Sequence, residues 1–272
     1  MLITGASALV MQQEVLERPA DCLLILLSLF LTGGAANALN QFFERDIDAQ
    51  MDRTRNRRPL PLGDVTPREA LTFAICIGTA GVALLAIRFN MLSAVLGLVT
   101  IVFYGFFYTL WLKPNTAQNI VIGGAAGAMA PVIAWAAVAN TVPTEPWLLF
   151  LIVFLWTPPH FWALALYRKA DYERVKLPMM PVVAGDESTL NQMLWYSIAM
   201  VAISLSLAFY GTGPLYLVSA IVLGVIFLQK MIVTRREKTR EREINLFLYS
   251  IVYLLALFSV IILEGLTGLH LL

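Results

Sequence analysis

The sequence predicts an all-α fold, a polytopic bundle of transmembrane helices, on three observations. The 272 residues are 59% hydrophobic and only 14% charged, with a mean hydropathy of +0.75, against about one quarter charged in soluble proteins. Apolar stretches of roughly 20 residues recur, each long enough to cross a hydrocarbon core of about 30 Å as a helix. Stretches such as Leu23 to Leu39, Leu92 to Leu112 and Ser197 to Leu207 lack the polar stripe that a soluble helix carries. The composition also excludes several functions. A formal net charge of +1 gives no pull toward nucleic acid. Two cysteines and two histidines are too few for a disulfide framework or a His/Cys metal cluster. Cys22 and Cys76 are expected to be packing residues, and the opening residues lack the basic segment of a cleavable leader.

Taken in order, Met1 to Met11 is apolar but half a span long. It is a re-entrant or interfacial piece, or the tail of a helix whose beginning precedes the sequence. Eight full spans follow, at about 22–43, 69–88, 91–112, 118–139, 147–167, 191–210, 214–232 and 245–264. The first runs into a polar block, and the third ends at Lys113-Pro114-Asn115. The fourth carries Gly123, Gly124 and Gly127 among alanines, which allows close helix crossings. The fifth contains Pro158, Pro159 and His160, and the seventh leads into a charge run from Arg235 to Arg242, expected to face anionic lipid. Trp111, Trp147 and Trp195 sit near span ends as interface anchors. A single domain over 1–272 is expected.

Sidedness follows from the basic residues. The loops after the first, third, fifth and seventh full spans hold six, one, four and six of the nineteen Lys and Arg residues, leaving only Arg18 and Arg88 on the other face. The positive-inside rule places the basic loops in the cytoplasm. One missed helix would scramble this asymmetry.

The polar block is the chemical centre of the sequence: four of its 18 acidic residues, Glu44, Asp46, Asp48 and Asp52, fall within nine positions. Asn40, Glu44, Asp48 and Asp52 are spaced by four, so on a helix each step rises about 6 Å and turns about 40° beyond a full turn. They form one slanting stripe, with Asp46 off it. A stripe of like charges repels itself, and hard oxygen donors suit Mg²⁺ bridging to substrate phosphates. Arg53, Arg57 and Arg58 could clamp phosphate oxygens. The alternative is a helix end with a solvated, charge-paired flank.

A second loop offers Asp171 and Glu173, which diverge on a helix, with Lys169 and Lys176 adding positive potential. His160 in an apolar span is an axial ligand for iron, a proton carrier, or a buried ring bonded to a carbonyl. Asn119, at the Lys113 mouth, orients substrate or caps a helix. His270 is expected to be inert.

Asn40-x3-Glu44-x-Asp46-x-Asp48-x2-Met51-x-Arg53-Thr54-x2-Arg57 resembles the first acidic motif of the intramembrane prenyltransferase superfamily. The stretches from Asn119 to Gly124, from Leu155 to His160, and Asp171-Tyr172 followed by Pro178-Met179-Met180-Pro181 resemble its haem O synthase subfamily, the likeness running over about 1–265. The resemblance implies a nine-helix fold, the first helix truncated here, whose start is a shortened or misassigned one. It implies transfer of the farnesyl group of farnesyl diphosphate to a vinyl group of haem B, with addition of water, in a bacterial inner membrane. It assigns diphosphate binding through Mg²⁺ to Asn40, Glu44 and Asp48, with Asp52 supporting. It gives leaving-group neutralisation to Arg53, Arg57 and Lys113, the second loop's role to Asp171, and haem contact to His160. Haem B is substrate rather than cofactor. The partners implied are membrane lipids and haem A synthase or terminal oxidase assembly. The sequence departs from the superfamily's Asp-x3-Asp at the second loop, where Val175 stands at the expected position, so metal binding there is in doubt. The competing expectations are a related prenyltransferase acting on 4-hydroxybenzoate, a quinone precursor or a chlorophyll-type ring, and, more remotely, a transporter.

Overall fold

Prolines and short polar side chains set where the helices start. The structure, a computed structural model, describes residues 1–51 and 54–268. Helix α1 is Leu2–Met11. Pro19 opens α2 (Pro19–Asp48), at a position where a missing N–H costs little. Thr66 and Glu69 form a reciprocal capping box at the start of α3 (Pro67–Arg88). Asn90 caps α4 (Met91–Asn115) by accepting from the Ser93 N–H at 2.9 Å. Its amide also donates to Ala136 O at 2.7 Å, tying that corner to the end of α5 (Asn119–Ala139). Within α4, Phe103–Leu112 is wound as a π-helix, and α5 is interrupted at Met129, two residues before Pro131. Then come α6 (Thr144–Tyr167), continuous through Pro158 and Pro159, α7 (Gly185–Phe209), α8 (Pro214–Glu237) and α9 (Arg240–Thr267).

Eight of these are long and apolar enough to span a membrane, in agreement with the eight predicted spans. Their ends differ from the predicted ones. Helix α2 continues past residue 43 to Asp48, and α7 and α9 start at Gly185 and Arg240. Hydropathy stops at the first charged residue, whereas the backbone hydrogen-bond ladder does not.

From α2 to α9 each of these long helices packs on its chain neighbours, and α6 also packs on α9. Helix α1 packs against α5, α9 and α2. Ala8 and Leu9 are buried, and Ser7 Oγ donates to Phe258 O at 3.0 Å. That packing rules out the interfacial position for Met1 to Met11. In α5 and α6, 67% of the spanning residues are buried, against 22–39% in the other spans, so these two form the middle of the bundle. Gly81 lets α3 approach α2 closely: a Cβ there would lie 3.1 Å from Thr32 N. Cys76, expected to pack, is exposed on the membrane-facing surface of α3. The chain reversals place the ends of α2, α4, α6 and α8 at one end of the bundle.

Candidate active site

The carboxylate stripe reaches the interior because α2 stays helical through it. Asn40, Glu44 and Asp48 are each no more than 5% exposed, whereas Asp46 points to solvent. Two cations meet the stripe from other segments. Lys113, at the turn where α4 ends, donates to Glu44 Oε1. Arg58 donates to Asp48 Oδ2 and lies 3.8 Å from Glu44 Oε2. Arg58 gets there because Thr54 Oγ1 donates to Asp48 O at 2.8 Å and folds the chain back over the helix end. The π-helical winding of α4 accompanies a further contact. Asn40 Nδ2 donates to Thr109 Oγ1 at 3.2 Å, and that hydroxyl donates on to Tyr104 O at 2.7 Å.

These groups form the mouth of a cavity of about 400 Å³ between α2, α4, α5 and α6. Its polar end is Asn40, Glu44, Asp48, Arg58 and Lys113; its body is walled by Tyr104, Tyr108, Val153, Trp156, Phe161 and Leu254. Glycines make the room. A Cβ on Gly123 would fall 2.3 Å from the Tyr108 ring, and Gly127 faces open space. A smaller apolar chamber of about 160 Å³ adjoins the cavity and shares Asn37, Tyr104 and Gly127 with it.

The other residues proposed from sequence are placed as follows. Asp52 and Arg53, like His270, lie outside the described residues. Arg57 is exposed and does not line the cavity; its neighbour Arg58 does. Lys169 bonds Asp186 Oδ1 at 2.8 Å, away from the mouth. Asp171 is buried beside Arg168 and Arg174, at 3.9 and 3.7 Å, while its neighbour Tyr172 lines the cavity. Asn119 is fully buried and donates to Thr116 O at 2.7 Å, Pro178 O at 3.3 Å and Lys113 O at 3.4 Å. It thereby fastens the loop that carries Lys113 to the segment whose Leu177 and Met179 line the cavity.

His160 stands behind the cavity wall, stacked on Trp156 at 4.1 Å between ring centroids, and on Phe247 at 4.7 Å. Its Nδ1 is 2.7 Å from Ser250 Oγ, which itself donates to Phe247 O at 2.6 Å. The serine proton is thus committed, so Nδ1 carries the ring proton, and in the singly protonated ring Nε2 keeps its lone pair. Sequence reasoning missed Tyr104, Tyr108 and Asn37 as cavity residues. Asn37 had a signal, lying three positions before Asn40 on the same helical face.

The oxygen donors at the mouth fit a hard divalent cation. Two carboxylates share one face, and because Asn40 Nδ2 is spent on Thr109, its Oδ1 is the end left over. Among the described residues no cluster of three or more His, Cys, Asp or Glu could hold a metal. A cation here would therefore draw its remaining oxygens from water and a substrate phosphate, as Mg²⁺ commonly does.

A helical membrane bundle with paired acids and bases over an apolar cavity defines an intramembrane transferase of phosphorylated apolar substrates. The family model "UbiA prenyltransferase family" matches residues 1–258, and the chain belongs to that family; it is an enzyme of the prenyltransferase class. Among curated relatives, it is 48% identical over 253 residues to a protoheme IX farnesyltransferase of Rhodopseudomonas palustris (strain HaA2), covering 90% of this chain and 80% of the relative. It is 45% identical to the protoheme IX farnesyltransferase of a Synechocystis species, covering 99% and 86%. The fold also matches a digeranylgeranylglyceryl phosphate synthase structure, with a TM-score of 0.80 at 16% identity, covering 98% of this chain and 93% of that one. A UbiA homolog from Archaeoglobus fulgidus, bound to GPP and Mg²⁺, matches with a TM-score of 0.63 at 17% identity, covering 96% and 95%.

Proposed function

We propose that this enzyme transfers the farnesyl group of farnesyl diphosphate to a vinyl group of haem B, with addition of water, giving haem O and diphosphate. The carrying observation is the mouth itself, two carboxylates held by Lys113 and Arg58 directly above an apolar, aromatic-walled cavity. The shared identity with protoheme IX farnesyltransferases selects the acceptor.

Asn40, Glu44 and Asp48 would hold Mg²⁺, which supplies charge neutralisation for the diphosphate. Arg58 and Lys113, each now bonded to a carboxylate, have the reach to turn onto the diphosphate oxygens as the substrate arrives. There they stabilise the negative charge that develops when the C1–O bond breaks and the electron pair leaves with diphosphate. The apolar wall keeps water from the allylic cation until it has added to the vinyl carbon; water then adds to the neighbouring carbon and loses a proton. His160 would approach haem with Nε2 if the acceptor enters from the α6–α9 side. The enzyme would act as one domain in a bacterial cytoplasmic membrane, with the acid mouth on the cytoplasmic face, handing haem O to a haem A synthase or a terminal oxidase under assembly.

The test is incubation of membranes containing the enzyme with haem B, farnesyl diphosphate and Mg²⁺, followed by mass analysis of the porphyrins. A hydroxyethylfarnesyl haem is expected. Its absence from a well-folded preparation, or farnesylation of 4-hydroxybenzoate in its place, would overturn the assignment.

A further inference from the structure

At the same end of the bundle as the acid mouth, the start of α7 and the end of α8 enclose a second pocket, of about 270 Å³. It is lined by Glu187, Leu190, Arg235, Arg236 and Lys238, none of which lines the central cavity. Its own lining carries three cations and one acid. Lys238 Nζ donates to Glu187 Oε2 at 3.1 Å, so that acid is already matched; of the acids just outside the pocket, Glu237 is taken by Arg242 at 2.7 Å and Asp186 by Lys169 at 2.8 Å. Arg235 and Arg236 have no acidic partner among the described residues. The carbonyl end of α8 tolerates cations there, and both arginines line one concavity and are exposed, so their donors are open to an entering anion.

What lies along the helices below the pocket identifies the anion. Helices α7 and α8 turn large apolar side chains outward along the span. Trp195 and Ile198 on α7 and Ile232 on α8 are 70%, 41% and 40% exposed. Lys230, one and a half turns deeper than Arg235, holds its ammonium 5.3 Å from the Tyr249 ring centre, as a cation does at the edge of the hydrocarbon. A ligand carrying a phosphate at one end and hydrocarbon at the other would meet both surfaces, whereas a free phosphate would meet only the first.

We propose that this pocket is a binding site for an anionic glycerophospholipid, its phosphate taken by Arg235 and Arg236 and its acyl chains lying along α7 and α8. Basic pockets between transmembrane helices take lipid headgroups in this way. The lipid would be a bound structural ligand, separate from the prenyl and haem substrates.

The experiment is native mass spectrometry of the full chain, released from detergent after exposure to equal amounts of phosphatidylglycerol and phosphatidylcholine. Wild type is expected to retain phosphatidylglycerol selectively. The double variant Arg235→Gln, Arg236→Gln should bind it roughly 30-fold more weakly, with an unchanged unfolding temperature in lipid-free detergent. A control, Arg55→Gln with Arg68→Gln, removes equal charge from the same end of the protein and should retain the lipid. Equal loss from the two double variants would reduce the effect to diffuse surface charge and overturn the site. Displacement of the lipid by inorganic phosphate at millimolar concentration would overturn the lipid assignment in favour of a free-anion site.

Discussion

Among the described residues, the buried carboxylates of Glu44 and Asp48 are ion-paired with Lys113 and Arg58. A buried pair of this kind seldom adds much stability, because desolvation offsets the attraction; its retention is better explained by what the charges do when substrate is present. Asp48→Asn keeps the shape and one acceptor oxygen but removes the charge. Turnover should fall on the order of 10²–10³-fold, while the unfolding temperature stays near wild type; near-normal turnover would refute its role. Lys113→Met should lower kcat and kcat/KM for farnesyl diphosphate by roughly 10- to 100-fold through the loss of one charged hydrogen bond to the leaving group. Much of this site was readable from four-residue spacing, which assigns Asn40, Glu44 and Asp48 to one face and Asp46 to the other. The choice between Arg57 and Arg58 was not readable, because they follow a non-helical stretch where no period applies. It is settled by the Thr54 hydroxyl that folds the loop back onto Asp48.

At the scale of elements, the existence of every long helix was legible from hydropathy, and its winding was not. No apolar pattern signals that Phe103–Leu112 follows a π-helical path, yet that segment carries Tyr104 and Tyr108 to the cavity and Thr109 to Asn40. Nor does hydropathy explain Glu264, an acid 1% exposed near the opposite end of the bundle. Its two carboxylate oxygens accept from the N–H groups of Gly213 and Tyr216, each at 2.7 Å, so α9 caps α8 across their contact. A negative charge at a helix N-terminus satisfies two otherwise orphaned donors and complements the dipole. Glu264→Ala should therefore cost about 1–3 kcal/mol, seen as a lowered unfolding temperature, with the KM for both substrates unchanged in the folded fraction. A variant that melts like wild type would show that water replaces the carboxylate without loss.

For the molecule as a whole, span count and charge asymmetry constrain each other, and the structure supplies a geometric reason to take both seriously. The acid mouth, the Asn119 joint and the Arg235 pocket all lie at the end where α2, α4, α6 and α8 finish, the same end that gathers the basic loops. The opposite end has Arg18 and Arg88, both 3.9 Å or less from Asp21, and so carries little free positive charge. On the positive-inside rule the proposed orientation turns the mouth toward the cytoplasm, the side that would supply a diphosphate substrate too polar to cross the bilayer. Cysteine labelling tests this directly. In a background without Cys22 and Cys76, Asp64→Cys lies on an exposed loop at the mouth end and Thr144→Cys at the exposed start of α6 on the other. A membrane-impermeant maleimide added to intact cells should label the Thr144→Cys protein and leave the Asp64→Cys protein unlabelled until the cells are opened. The reverse pattern would place the acid mouth outside, and labelling of both in sealed cells would break the eight-span topology on which the placement of the cavity depends.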